Sequence, residues 1–154
     1  MPGRYLDQFA IGEAHLTPSR TITESDVCLF AGLTGDYNEI HTSAEVARNS
    51  FFGARIAHGL LLLSISHGLL CRLDMIDGTG IGFAEIENWK FVAPVFLNDT
   101  VRVRVTVAAV IPSRSKPDRG ILKLLLEILN QRDEVVQRGT KVLMMKRSPA
   151  PGRD

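Results

Sequence analysis

Hydrophobic and polar positions alternate through the second half of the chain and recur at helical spacing through the first. In "VRVRVTVAAV", Val101, Val103, Val105 and Val107 alternate with Arg102, Arg104, Thr106 and Ala108. A period of two puts one face of a strand into a core and leaves the other to solvent. "ILKLLLEIL" sets Leu122, Leu124, Leu126 and Ile128 against Lys123 and Glu127, and "EVVQRGTKVLMMK" sets Val136, Arg138, Thr140, Val142 and Met144 opposite Val135, Gln137, Lys141 and Leu143. Ahead of them "IGFAEIENWKFVAPV" predicts a strand ending near Pro94, and "LNDT" at 97–100 a turn. The connections are short and local, which predicts a largely antiparallel sheet.

The first half predicts one short N-terminal strand and then helices. Thr23 is placed as an N-cap with Asp26 three residues on, a relative of the capping box, and Val27, Phe30 and Ala31 follow at helical spacing, so a helix is expected to stop at Gly32 or just beyond. A second, brief helix starts at Thr42 or Ser43, has Glu45 in its first turn and Arg48 near its end, and stops by Asn49 or Ser50. The stretch "GLLLLSISHGLLCRL", Gly59 to about Leu73, is apolar on nearly all sides. A helix of that kind is expected to be enclosed. It falls short of the roughly 18 residues that suggest a membrane span. Together the patterns predict an α+β fold, of which a curved sheet around one buried helix is one of several arrangements.

Composition narrows the function classes. A chain of 154 residues, 45% hydrophobic and 23% charged, predicts a single soluble domain over 1–154, with 147–154 ("RSPAPGRD") as a flexible tail. A net charge of +1 gives no broad field for nucleic acid or an anionic membrane, so neither is an expected partner. Cys28 and Cys71 are too few for a disulfide scaffold and sit in apolar helical stretches, where buried free thiols are expected. The start of the chain lacks the apolar run of a secretory signal, and a cytoplasmic location is the default expectation.

The candidate chemistry begins in "FAGLTGDYNEIH". Asp36 and His41 lie five apart on a loop that lets both side chains turn to one point, where a carboxylate and an imidazole can hold a water between them. The bland alternative is that Gly35, Asp36 and Asn38 are turn residues, Asn38 tolerating left-handed geometry or fixing the loop through its side chain. Gly59 opens the apolar helix, so its N–H is an oxyanion donor or the glycine merely allows close packing. Ser64 is a back-bonded helix hydroxyl or a substrate contact, and His67 a core histidine or a group facing the same site. His58 is read as a helix-entry residue. The four histidines show no HExxH and no cysteine partner at ligand spacing, so no metal site is expected. "PSRSKPDRG" at 112–120 is a solvated basic hairpin or, less simply, a phosphate contact. "DGTGIGF" at 77–83 lacks the spacing of a dinucleotide fingerprint and is expected to be a flexible connection.

The loop and the helix start together resemble the MaoC-like dehydratase family, the (R)-specific enoyl-CoA hydratases (hydratase 2) among them. The family's signature stands here as Gly35, Asp36, Tyr37, Asn38, Glu39, Ile40 and His41, followed by "IAHGLLLLSISHGLL", and the similarity runs from "TITESDV" through "FVAPVFLNDTV" to the last strand. The resemblance implies a hot-dog fold, Asp36 and His41 as the catalytic pair, and the Gly59 amide as oxyanion donor, with Asn38, Ser64 and His67 as further substrate-side candidates. It implies a hydro-lyase that adds water reversibly to a trans-2-enoyl thioester to give the (R)-3-hydroxyacyl thioester. No cofactor is expected, coenzyme A or acyl carrier protein serving only as the substrate's handle, and a homodimer is expected from edge-to-edge pairing of sheets. Glu39 departs from the family's usual proline. The competing readings are a hot-dog acyl-CoA thioesterase, which commonly carries an acidic residue on the long helix that is absent here, and a non-catalytic acyl-binding subunit, which would be expected to lose Asp36 or His41.

Overall fold

Val101, Val103, Val105 and Val107 are all buried, and so are Leu122, Leu124, Leu126 and Ile128, so both alternating segments present the expected face to a core. The computed structural model describes residues 3–149. In chain order the elements are β1 (Ala14–Leu16), β2 (Arg20–Thr21), α1 (Glu24–Thr34), α2 (Glu39–Thr42), α3 (Ala44–Arg48), α4 (Gly59–Cys71), β3 (Gly80–Phe91), β4 (Thr100–Pro112), β5 (Arg119–Leu129) and β6 (Val135–Lys146). The strands form one antiparallel sheet in the order β1-β4-β5-β6-β3, with β2 added alongside the start of β4. Leu61, Leu62, Ile65, Leu69 and Leu70 of α4 share a core with the inward residues of β4, β5 and β6. This is the hot-dog form of an α+β fold. Each fully buried leucine or isoleucine contributes about 1.5–3 kcal/mol relative to exposure.

Several local expectations need adjusting. The N-terminal segment supplies two short strands rather than one. Thr23 does cap α1, its hydroxyl accepting from the Asp26 N–H while the Asp26 carboxylate accepts from the Thr23 N–H. The helix ends as expected just beyond Gly32, at Thr34, because Gly35 at φ 78° supplies the left-handed turn and its N–H returns to the Ala31 carbonyl. The brief second helix is α3, capped as expected by Ser43, which accepts from the Val46 N–H, but an unexpected four-residue helix, α2, precedes it and ends at Thr42.

Helix α4 is covered on most of its circumference but not all. Leu60, Ser64, Gly68 and Cys71, spaced by four, four and three, form an exposed stripe. Cys71 is therefore exposed, not buried as expected. Cys28 is exposed too, because α1 buries only Val27 and Ala31 and turns Cys28, Leu29 and Leu33 outward. Beyond β6, the Arg147 N–H donates to the Asp118 carbonyl and the Ser148 N–H to Asp7 Oδ1, which holds the first residues of the expected tail; residues 150–154 of it lie outside the described residues. No helix among the described residues is long and apolar enough to cross a membrane.

One inward position of β6 is occupied by a lysine. Lys141 is 1% exposed, and its Nζ donates to Ser66 Oγ on α4 at 2.9 Å with the rings of Phe83 and Trp89 at 5.9 and 5.8 Å. Burial holds its pKa down to about 8. The folded state therefore binds this proton less well than the unfolded chain, and the cost is full below pH 8 and fades as pH rises through the ordinary lysine range. Lys141→Met, which fills the same space without a charge, is expected to stabilise the fold by on the order of 2 kcal/mol at pH 7 and by much less at pH 10.5. Paired chemical denaturation of both proteins at the two pH values measures this, and an equal gain at both would show that charge is not the cause.

Candidate active site

Once Gly35 has taken the left-handed conformation, the loop after α1 is fixed by side-chain bonds to its own backbone. The Asp36 N–H donates to Thr34 Oγ1, Asp36 Oδ1 accepts from the Asn38 N–H, and Asn38 Oδ1 accepts from the Ile40 N–H, each at 3.3 Å. Asn38 thus caps α2, with φ −52° rather than a left-handed angle. Glu39 is the first residue of α2. That is the position where proline fits best, its missing N–H being unpaired in any case, and also one where an acid is favoured by the helix dipole.

Two residues later, α2 turns His41 inward to 8% exposure. Its Nδ1 lies 2.8 Å from the Ile56 carbonyl. A carbonyl only accepts, so Nδ1 carries the hydrogen and Nε2 is left to exchange a proton with whatever enters. The Ile56 segment is itself held, by an isolated bridge to Phe96 and by the Ala57 N–H donating to the Val95 carbonyl at 2.7 Å. His58, 1% exposed, lies against His41 with ring centroids 3.9 Å apart, and its Nε2–H donates to the Asp36 carbonyl at 2.9 Å. A carboxylate oxygen of Asp36 and one ring nitrogen each of His41 and His58 lie within 4.8 Å of one another. One water can bridge carboxylate and imidazole at such a separation.

The second half of the site is the mouth of α4. His58 stands at the N-cap but makes no side-chain cap, so the first N–H groups of the helix, Gly59 foremost, have no intrahelical partner and sit at the positive end of its dipole. The Phe91 ring lies where a side chain at 59 would begin, 2.7 Å from the position a Cβ would take, which is why a glycine stands there. The Gly59 carbonyl accepts from Gln137 Nε2 at 3.0 Å, and Gln137 Oε1 accepts from Trp89 Nε1 at 3.0 Å. Trp89 reaches inward because the β3–β6 register shifts at Asn88, whose φ of 52° marks a bulge. The Trp89 ring and backbone then sit directly over Gly139, leaving no room for a Cβ there. A cleft of about 440 Å³ opens between these parts, lined by His41, Gly59, Phe91, Pro94 and Gln137 among mainly apolar neighbours.

The candidates named from sequence divide accordingly. Asp36 and His41 are brought together, and His41 and Gly59 line one cleft, while Asn38 holds the loop rather than the cleft. Ser64 lies on the exposed stripe with Oγ donating to the Leu60 carbonyl at 2.9 Å, the back-bonded alternative, and does not line the His41 cleft. His67 lines a separate hollow of about 300 Å³ with Cys71, Ile76 and Phe83. Burial first, and the Lys141 charge second, keep its imidazole pKa below the usual value. Sequence reading gave His58 only the helix-entry place that it has as the N-cap residue of α4, and passed over Gln137, Trp89 and Phe91 as site residues. The available signal was His58 directly before Gly59 and a lone amide, Gln137, on the inward register of β6. As metal ligands, Asp36, His41 and His58 offer a suitable donor set: each ring gives one nitrogen to a backbone carbonyl, the bond that commonly orients a metal-binding histidine, and keeps the other, with the two rings tilted by 31°.

Residues 8–124 match the MaoC like domain family, and the chain belongs to it. It is 38% identical over 103 residues to Protein MaoC of Klebsiella aerogenes, a match covering 67% of this chain and 30% of that protein. It is 38% identical over 96 residues to the (R)-specific enoyl-CoA hydratase of Rhodospirillum rubrum, covering 62% of this chain and 65% of that one. The chain thus spans about a third and just under two thirds of these relatives' lengths. Among solved structures, the MaoC-like dehydratase from Rhodospirillum rubrum superposes with a TM-score of 0.80 at 31% identity, covering 96% of this chain and 100% of that one.

The Trp89–Gln137–Gly59 chain of bonds generates a stability test. Gln137→Leu leaves the Trp89 N–H without its acceptor and the Gly59 carbonyl without its side-chain donor, an expected loss of about 1–3 kcal/mol. Urea unfolding followed by the fluorescence of Trp89, the sole tryptophan, reads it directly.

Proposed function

We propose that this chain is a hydro-lyase that adds water reversibly across the C2=C3 bond of a trans-2-enoyl thioester, giving the (R)-3-hydroxyacyl thioester. The observation that carries the reading is that His41, with Nδ1 tied to the Ile56 carbonyl, shares one apolar cleft with Gly59 at the start of α4 and has the Asp36 carboxylate beside it. Water held between Asp36 and His41 attacks C3, and electron density moves through C2 onto the thioester oxygen. That oxygen is stabilised by the Gly59 N–H, a type of donor whose removal typically costs roughly 10²- to 10³-fold in rate. The proton taken from water at the pair is balanced by one delivered to C2, so no net proton is gained or lost. The thioester itself makes C2 able to bear the developing charge, and coenzyme A or acyl carrier protein serves as handle, so no cofactor takes part. A thioesterase reading is weaker, because α4 carries no carboxylate.

The reading includes a homodimer. β3 has β6 on one side and forms the rim of the sheet, and it exposes Ile81, Phe83, Ile86 and Phe91. A twelve-residue rim strand with four exposed apolar side chains is a surface that soluble proteins cover or pair.

Asp36→Asn and His41→Ala, assayed separately with crotonyl-CoA, are each expected to lower kcat by roughly 10²- to 10⁴-fold without unfolding the protein. A folded variant of either kind at near wild-type rate, or an (S) product from the wild type, overturns the reading. Chelators are expected to leave the rate unchanged, and free thiol release from acyl-CoA to be negligible. Sedimentation is expected to give twice the 17.0 kDa chain mass.

A further inference from the structure

We infer that His58 is the positioning residue of this site, one side chain that fixes the Asp36 backbone and the His41 ring to the mouth of α4. The inference rests on the hydratase reading for what is positioned, but its geometry stands without it. His58 is 1% exposed, although it is a polar side chain at a helix start with capping donors beside it. It does not cap. Its Nε2–H crosses instead to the Asp36 carbonyl, 22 residues away in sequence, at 2.9 Å.

Its faces are used as well as its edge. On one side the ring lies on His41, centroids 3.9 Å apart and tilted by 31°; it also meets Phe30 of α1 at 5.1 Å and 54°. His41 is therefore held by two restraints of different kind. The bond from Nδ1 to the Ile56 carbonyl sets the rotation of its ring, and the His58 ring sets its tilt. Because the next residue is Gly59, any movement of His58 shifts the Asp36 loop, the His41 ring and the first peptide of α4 together.

Few side chains can do this. Phenylalanine keeps the stack and loses the donor; glutamine keeps a donor and loses the stack. The bond to a carbonyl also fixes the tautomer, placing the His58 hydrogen on Nε2. Nδ1 is then a bare nitrogen, and it is buried without a hydrogen-bond partner, a cost the fold bears here as it does at His67 Nδ1.

Nitrogen-15 NMR of the wild-type protein is expected to show the Nε2–H tautomer for His58 and the Nδ1–H tautomer for His41. A His58 hydrogen on Nδ1 overturns the inference whatever the activity. In the crotonyl-CoA assay His58→Phe is expected to lower kcat by roughly 10- to 100-fold with KM changed less than about twofold, the pattern of misplaced groups rather than lost substrate contacts. His58→Gln is expected to fall between the two, recovering the part due to the Asp36 bond. A folded His58→Phe protein with wild-type kcat, or one whose KM alone rises, overturns the positioning role. Absence of hydration by the wild type itself would instead reject the hydratase reading and leave the tautomer result to decide on His58.

Discussion

A thirteen-residue helix without one charged side chain, Gly59–Cys71, has to be taken out of water, and most of the molecule follows from that requirement. Inward faces of β4, β5 and β6 cover it, the valines of β4 alternating as far as Val107, where the register shifts, and the leucines of β5 continuing to Ile128. Covering the sides of a helix does nothing for its start. The first N–H groups of α4 remain without partners, and the chain surrounds them with an apolar cleft instead of a cap. The cleft lies at the uncovered end of the core element, which is why its unpaired N–H groups need no separate construction.

What sequence revealed and what it concealed follow the same physical line. Periodicity exposed β4, β5, β6 and α4, because burial against a broad face leaves a repeated mark along the chain. Capping exposed the start of α1, since Thr23 and Asp26 answer one another over three residues. Asp36, His41 and Gly59 were legible as a motif. The α2 helix was not, as four residues carry no period. Nor were the contacts of His58 and Gln137, which join positions 22 and 78 residues apart and so depend on the tertiary fold. The cysteines misled for a related reason. Both lie in apolar stretches, yet a helix packed on one side turns part of an apolar stretch outward, and only the packing says which part.

Glu39 illustrates a substitution that looks larger in sequence than in structure. At the first position of α2, a proline would supply a fixed φ and a glutamate supplies charge at the positive end of a short helix. Either is compatible with the Asn38 cap and the inward turn of His41. Glu39 is exposed, so its charge adds to the rim of the loop without entering the buried contacts.

The rim strand β3 has one further property. Its Phe91 ring occupies the space over Gly59, and its Trp89 holds Gln137, which holds the Gly59 carbonyl. The free margin of the sheet is thus also the back wall of the helix mouth. The stiffness of the surroundings of the Gly59 peptide is therefore set by an edge strand of the sheet rather than by the core alone.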